Sequence, residues 1–305
     1  MHQRDRVLSL TAILALLAGL FAVVPASAAE RLKPFILVSD APGDLAAVAG
    51  QTRSRLEAAG FEIVGGYSPY EGAELIVVSN GRLQEVAART PMGGVGAVVR
   101  VGVTAHAGKI QVAYTNPPYW ANAYRLESDL ADVAAQLTRA LGEGKPYGAR
   151  GLTAKKLRKY HYKIMMPYFD DTYKLGDFPS HAAAVEQVEK GLAAKAGGVS
   201  RVYRLDIPGK EETVFGVKLT EGCSGDKYIM DRIDFGDIKS TPHLPYEMVV
   251  TGGKVRALHA KFRIAISFPD LSMVGKNSFF SIMCAPDAIE KALAAVAGRK
   301  GESEE

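Results

Sequence analysis

Residues 109–124 combine aromatic rings with amide side chains at close spacing. The segment begins as a predicted strand, which ends at Asn116-Pro117-Pro118, and it then contains the only tryptophan of the chain, Trp120. Tyrosine and tryptophan offer apolar area with one polar group, which suits planar ligands or sugars. The sequence therefore predicts a ligand-binding site with the candidate residues Tyr114, Asn116, Tyr119, Trp120, Asn122 and Tyr124. The alternative is that Trp120 packs over the open end of a sheet.

Two cysteines, Cys223 and Cys284, are the only thiols of the chain. An even count in an oxidising compartment permits one disulfide. The bond would close a loop of about 62 residues and stabilise the fold by roughly 4 kcal/mol. Two buried free thiols, or a reactive pair, are the alternatives.

Soft donor atoms are scattered through the second half of the chain. They belong to His161, Met165, Met166, His259, Met283 and Cys284. Imidazole, thioether and thiolate groups suit copper, but no two histidines have the spacing of metal ligands on a helix. Because methionines also commonly fill cores, we predict no metal site, and the sequence identifies no cofactor. A redox or metal-handling accessory role that uses Cys223, Cys284 and His259 is the alternative function.

No arrangement typical of catalysis stands out. Cys223 lies in a glycine-flanked loop, 221–226, which is not a G-x-S-x-G turn and has no histidine nearby in the sequence. The glycine-rich stretch 91–96 lacks the lysine of a phosphate-binding loop. The sequence therefore favours a non-enzymatic protein without deciding the matter.

The candidate residues must be positioned by strands and helices, which are predicted along the whole chain. Hydrophobic periodicity and turn residues predict strands over 33–39, 61–64, 73–79, 97–104, 109–114, 163–169, 199–206, 212–219, 246–251 and 254–267. They predict helices over 45–59, 83–89, 129–141, 153–159, 180–196 and 288–297, and leave 226–234 as helix or strand.

The two halves of this pattern match in kind and order. The hairpin turn Gly108-Lys109 corresponds to Gly253-Lys254, and the break at Asn116-Pro117 corresponds loosely to Phe268-Pro269. A period of about 140 residues indicates a tandem domain duplication and not a short repeat. The predicted fold class is α+β, with two tandem similar modules that are each a mostly antiparallel sheet packed by helices.

The first residues resemble a secretion signal. Arg4 and Arg6 precede the apolar run 7–24, and Ala26-Ser27-Ala28 is a typical cleavage site. An uncleaved anchor is the alternative, since the run approaches the length of a membrane span. The predicted organisation is a signal peptide (1–28), a first module (29–142), a linker (143–162), a second module (163–298) and a polar tail (299–305).

Composition narrows the classes of partner. The net charge of +4 is too mild for a nucleic-acid-binding protein, and 48% hydrophobic residues are ample for a core. After signal cleavage no membrane span remains. We therefore expect a periplasmic or secreted, non-enzymatic protein that binds a small molecule or a periplasmic protein, with a homodimer as a further option.

The first half resembles the bacterial family called domain of unknown function 302. The resemblance rests on residues 56–63, the hairpin 98–114, the Asn116-Pro117 step and the helix that closes near residue 141. It covers residues 33–142. A weaker resemblance to the same family covers residues 163–297 and rests on Leu244-Pro245-Tyr246 and Gly253-Lys254. The resemblance implies a compact, often dimeric α+β sandwich and no established activity.

Overall fold

Residues 30–299 are described by a computed structural model, so the predicted signal peptide and residues 300–305 of the predicted tail lie outside the described residues. The strands are β1 (Phe35–Ala41), β2 (Glu62–Tyr67), β3 (Ala73–Ser79), β4 (Val99–His106), β5 (Lys109–Thr115), β6 (Lys145–Tyr147), β7 (Thr172–Asp177), β8 (Val199–Asp206), β9 (Glu212–Leu219), β10 (Tyr246–Thr251) and β11 (Lys254–Leu258). The helices are α1 (Leu45–Ala58), α2 (Gly81–Arg89), α3 (Pro117–Ala123), α4 (Ala131–Leu141), α5 (Ala154–Arg158), α6 (His181–Ala193), α7 (Asp226–Ile233), α8 (Ala260–Ser267) and α9 (Ala285–Val296).

Two antiparallel sheets share one strand order. The six-stranded sheet runs β2-β3-β4-β5-β1-β6, and the five-stranded sheet runs β8-β9-β10-β11-β7. When β7 to β11 are matched with β1 to β5, the two orders are the same. The helices follow in the same positions, so the predicted α+β fold with two tandem similar modules is confirmed.

Local sequence explains where the main elements begin and turn. Asp44 caps α1 by accepting from the Ala47 backbone N–H at 2.8 Å, and Ser180 caps α6 in the same way through Ala183 at 3.2 Å. The β4–β5 hairpin turns through Ala107 and Gly108, whose φ angles are 48° and 76°. Such left-handed conformations favour glycine and set the register of the hairpin.

Each sheet carries helices on one face. Helix α1 contacts β3 and β4, and helices α6 and α9 cover the second sheet. The opposite face of β4 meets the second module: Arg100 bonds to Glu247, and Thr104 Oγ1 lies 2.7 Å from Thr241 Oγ1. Because alternate residues of a strand point to opposite faces, β4 is buried on both sides.

The two modules meet through a pseudo-two-fold interface. The β2–β3 region contacts α7, where the Tyr67 hydroxyl donates to Asp226 Oδ2 at 2.6 Å. In the reciprocal contact, the start of β9 meets the segment after α2, where the Gly94 N–H donates to Glu212 Oε1 at 2.7 Å. Such reciprocal pairing is what a two-fold dimer of identical subunits shows. Here both halves belong to one chain, and the described residues after Glu30 form one compact unit.

The strand predicted over 163–169 is wrong, since the first strand of the second module is β7. Ile164 and Met165 are 88% and 95% exposed, and Met165 has a left-handed φ of 68° that interrupts any strand. Residues 163–169 resemble a core strand because a buried strand and an exposed apolar surface can have the same residue types in the sequence.

The long strand predicted over 254–267 is also wrong, because it divides into β11 and α8. His259 separates the two elements and caps the helix, its Nδ1 accepting from the Lys261 N–H at 3.2 Å. Seven of the eight residues of α8 are buried, so the helix lacks the polar face that reveals a helical period. The counterpart of the Asn116-Pro117 step is therefore the junction at His259, not Phe268-Pro269.

Residues 143–162, predicted to be a linker, contain two regular elements. Strand β6 pairs with β1 and extends the first sheet. Helix α5 contacts α3. The segment therefore packs on the first module before the chain enters the second.

Candidate functional site

The six residues predicted to bind a ligand lie along β5 and α3, with Asn116 between the two elements and Tyr124 directly after α3. All six are buried, and Tyr119 is fully so. Helix α3 begins at Pro117, a position where proline is favoured because its missing N–H would be unpaired anyway. The aromatic segment thus forms a helix at the end of the first sheet, one element earlier than the helix predicted over 129–141.

Most polar groups of this segment are bonded within the protein. Trp120 Nε1–H donates to the Pro34 carbonyl and Asn116 Nδ2–H to the Lys33 carbonyl, both at 2.8 Å. The Tyr119 hydroxyl donates to a carbonyl of α8 at 2.7 Å and so joins the two modules. These bonds fix α3 against β1 and α8. Ligand binding by the aromatic segment stays a prediction.

A charged network lies buried between the modules. Arg100 Nη1 of β4 lies 2.9 Å from Glu247 Oε1 of β10, and Arg263 Nε of α8 lies 3.5 Å from Glu247 Oε2. The exposed fractions are 2% for Arg100, 4% for Glu247 and 1% for Arg263. Buried charges persist only when they are paired and hydrogen-bonded. Two arginines and one glutamate leave a formal charge of +1 in the core.

Trp120 and His243 complete the surroundings of the two guanidinium groups. The Cζ atoms of Arg100 and Arg263 lie 4.7 Å and 5.1 Å from the centroid of the Trp120 ring, within the range of cation–π contacts. Arg263 Nη1 donates to His243 Nδ1 at 3.1 Å. Burial, reinforced by Arg263 and Arg100, holds the pKa of His243 well below its usual value. The ring is therefore neutral and adds no charge.

Sequence reasoning missed all three charged members of the network. A usable signal exists, because each stands inside an apolar run: Val99-Arg100-Val101, Tyr246-Glu247-Met248 and Phe262-Arg263-Ile264. A charged residue at such a position is rarely buried unless it is paired. The partner is unreadable from the sequence, since Arg100 and Glu247 are 147 residues apart.

Cys223 and Cys284 form a disulfide, with their Sγ atoms 2.12 Å apart, so the predicted bond is confirmed. It joins a short 3₁₀ helix, Gly222–Ser224, to the residue before α9. The alternative function therefore loses its two free thiols in this structure. Within residues 30–299, no group of three or more His, Cys, Asp or Glu side chains is arranged to hold a metal ion.

Four of the six soft-donor residues nevertheless line one surface cavity. His161, Met165, Met166 and His259 lie around a volume of about 450 Å³, while Cys284 is held in the disulfide. His259 Nδ1 accepts from a backbone N–H, and Lys261 lines the same cavity. A lysine ammonium repels a bound cation, so this cavity is poorly suited to a metal ion.

Asp226 is a second buried charge-bearing group at the module interface. It is the first residue of α7 and accepts from the Tyr67 hydroxyl of β2. Burial raises the pKa of Asp226 to about 7, and the Tyr67 hydrogen bond only partly opposes the shift. The proton on Asp226 is therefore linked to folding of the interface.

We expect Asp226 to make the protein less stable as the pH rises from 5 to 8. The folded state raises the pKa from 3.8 to about 7, so it holds the proton more tightly than the unfolded chain does. The contribution is therefore greatest at low pH and is lost as the pH rises to 7. For this group the free energy of unfolding should fall by about 2–3 kcal/mol between pH 5 and pH 8.

Urea denaturation at several pH values checks this expectation. In the Asp226→Asn variant, the free energy of unfolding should lack this fall between pH 5 and pH 8. Asp231→Asn, which changes an exposed residue of the same helix, is the matched control and should retain the wild-type dependence. Equal pH profiles for Asp226→Asn and the wild type would contradict the assignment.

Exposed large apolar side chains are concentrated in two neighbouring loops, 159–171 and 268–284. We call the set the methionine surface. Its members are Ile164, Met165, Tyr168, Met273, Val274, Phe280 and Met283. The loops touch where the Tyr162 hydroxyl donates to the Leu271 carbonyl and the Tyr162 and Phe279 rings lie 5.0 Å apart. The surface therefore rests on direct contact between its two loops.

Two concavities open on this surface. The larger, about 510 Å³, lies between the loops and is lined by residues 160–163 of one loop and 269–273 of the other, with Arg150 and Leu152. The 450 Å³ cavity adjoins it, because His161 lines both. Their sizes fall in the range of small-molecule sites. Lys159, Lys163 and Lys276 are exposed on the same loops.

Comparisons with known proteins add one structural similarity. No protein family and no curated protein matches the chain. Among solved structures, the chain is similar to an uncharacterized conserved protein of domain of unknown function 302 from Bacillus stearothermophilus. The similarity has 15% sequence identity and a TM-score of 0.31, and it covers 34% of this chain and 92% of that one.

Proposed function

We propose that this is an exported, non-enzymatic protein that binds a partner protein through the methionine surface. The observation that carries the proposal is the concentration of exposed apolar side chains. Among residues 30–299, seven of the eight large apolar side chains that are exposed lie in the two touching loops. Single exposed apolar residues need no explanation, but a contiguous patch typically marks an interaction site.

The composition of the surface fits protein recognition. Met165, Met273 and Met283 are unbranched and polarizable, so they adapt to a partner's shape. Tyr168 and Phe280 add aromatic area of the kind that dominates binding energy at interfaces. The concavity between the loops can receive one large apolar side chain as an anchor.

Charge indicates the chemistry of the partner. The two loops carry three exposed lysines, Lys159, Lys163 and Lys276, and three exposed aspartates, Asp170, Asp171 and Asp270. Asp170 pairs with Arg125 and Asp270 with Arg150, whereas no ion pair within residues 30–299 engages the three lysines. A partner that places acidic residues around an apolar anchor would complement them and associate faster at low salt. We therefore propose an apolar segment with acidic flanks as the occupant.

The disulfide and the N-terminal sequence support export. The Cys223–Cys284 disulfide is typical of oxidising compartments. Together with the predicted cleavage site after Ala28, it supports a mature chain that begins at Ala29 in the periplasm or outside the cell. Among residues 30–299, no helix is both long and apolar enough to cross a bilayer.

Site-specific photo-crosslinking in the native host tests the proposal. A photoreactive amino acid replaces Met165 or Val274, one in each loop, and replaces Lys190, exposed on α6, as the control. Both loop positions should yield an adduct with the same protein, and the control position should not. The intact mass of the isolated chain should correspond to residues 29–305.

A second substitution shows whether the two loops act as one surface. Met165→Glu should reduce the adduct formed from position 274 by roughly tenfold or more, because charge enters the apolar contact. Lys190→Glu should leave that adduct unchanged. Adducts only with this chain itself, only with lipid, or equally from all three positions would overturn the proposed partner protein.

A further inference from the structure

Three buried polar atoms beside the charged network have no hydrogen-bond partner within residues 30–299. They are Nε of Arg100 and the hydroxyl oxygens of Tyr124 and Tyr203. Burial raises the pKa of the Tyr124 hydroxyl, and Arg100 is close enough to the Tyr124 oxygen to oppose that rise, but this contact leaves the Tyr124 O–H free to donate. Nearly all buried polar groups in folded proteins are bonded to protein, water or an ion. The guanidinium Nε–H can only donate, and a tyrosine hydroxyl can donate. The unused groups are therefore all able to act as donors.

Two of the three residues line one small cavity. Arg100, Tyr124 and Trp120 line a volume of about 10 Å³ at the end of the first sheet. That space suits one water molecule or one monatomic ion and excludes larger ligands. Tyr203 lies near enough for Glu247, Arg100 and Tyr124 to act on its pKa, which burial raises well above its usual value.

The remaining wall of the cavity is poor in acceptors. It consists mainly of the apolar side chains Leu83, Val95, Val98, Val99, Leu126 and Leu130. The hydroxyl of Thr115, the other polar side chain in the wall, already accepts from the Arg100 backbone N–H at 3.1 Å. A water molecule needs acceptors for its own protons, whereas an anion needs only donors.

The charge of the surroundings favours an anion as well. Arg100 and Arg263 outnumber Glu247 by one charge in the core. His243 is neutral, and Asp226, which also acts on Tyr246 of this region, is protonated below about pH 7. An uncompensated buried charge is strongly unfavourable.

We propose that this cavity binds one monatomic anion of the halide class, held by the Nε–H of Arg100 and the hydroxyl of Tyr124. The anion neutralises the excess charge and satisfies two unused donors at once. Tyr203 stands beside the pair as a third hydroxyl without a partner. The site is separate from the methionine surface and joins β4 to the residue that follows α3, near the module interface.

Anion-dependent stability tests the site. The wild-type protein is refolded in sodium chloride, sodium bromide or sodium gluconate at one ionic strength, and its unfolding temperature is measured at pH 6. Chloride and bromide should raise this temperature in a saturable manner, because a ligand that binds only the folded state stabilises it. Crystals grown in bromide should show anomalous density beside Arg100 Nε.

Two matched variants distinguish the site from a general salt effect. Tyr124→Phe should weaken the apparent chloride affinity by roughly tenfold to a hundredfold, the value of one hydrogen bond to a charged group. Tyr119→Phe is the control, because Tyr119 lies in α3, which ends just before Tyr124, and is equally buried, but its hydroxyl already bonds to Ile266. Equal responses to chloride and gluconate, equal effects of both variants, or water alone in the cavity would overturn the assignment.

Discussion

Replacing Glu247 with glutamine should lower the free energy of unfolding by about 3–5 kcal/mol, the range for removing one partner of a buried ion pair. Glutamine has the same shape but no charge, so Arg100 and Arg263 would remain buried without their shared carboxylate. Because Glu247 bonds to Arg100 across the module interface, the loss should appear in the cooperative unfolding of the whole chain. Urea denaturation at pH 7 measures it.

Two further variants separate charge from shape. Glu211→Gln, an exposed residue just before β9, is the matched control and should change stability by less than about 0.5 kcal/mol. The triple replacement of Arg100, Glu247 and Arg263 by Met, Leu and Met should recover most of the loss, since apolar residues can substitute for a buried charge network. A loss below about 1 kcal/mol for Glu247→Gln would show that the Glu247 carboxylate is not what compensates the charges of the buried arginines.

The network gives a physical reason why the two modules occur as one unit. Arg100 belongs to the first module, whereas Glu247 and Arg263 belong to the second. A separated first module would leave Arg100 without its carboxylate on a face otherwise suited to burial. The reciprocal Tyr67–Asp226 and Gly94–Glu212 contacts would be lost together. The duplication therefore reproduces in one chain the kind of interface that a two-fold dimer makes.

Much of the fold is predictable because its signals are local. Strands β3, β8 and β9 have the predicted bounds, since each is an apolar or alternating run between turn or capping residues. The turns at Gly108 and Gly253 mark matching hairpins, so the duplication is visible in the amino-acid sequence alone. Helix α8 escapes prediction because burial on all sides removes the polar face that distinguishes a helix from a buried strand.

The candidate sites are less predictable because they depend on non-local pairing and on exposure. Trp120 has the residue type of a surface ligand group, yet it packs against Arg100 and Arg263 in the core. Ile164 and Met165 have the residue types of a core strand, yet they are exposed. Places where local rules fail are often functional, and residues 163–169, where the strand prediction is wrong, carry almost half of the methionine surface.

The disulfide should contribute about 4 kcal/mol to stability, the chain-entropy value for a loop of its length. Cys223 and Cys284 are 61 residues apart, so the bond removes many conformations from the unfolded chain. Cys223→Ser combined with Cys284→Ser should lower the free energy of unfolding by that amount. Urea denaturation of the wild type with and without a thiol reductant should give a similar difference, since Cys284 is exposed to the reagent.

The same bond should also act locally on the methionine surface. Cys284 ends the loop that carries Met273, Val274 and Phe280, while the loop that carries Met165 is anchored elsewhere. In the folded double-serine variant, crosslinking from position 274 should therefore weaken more than crosslinking from position 165. Equal weakening at both positions would indicate global loss of structure, and unchanged stability would show that the unfolded chain is compact without the bond. The free energy of unfolding and the two crosslinking yields together show whether the disulfide stabilises the loop, the whole fold, or both.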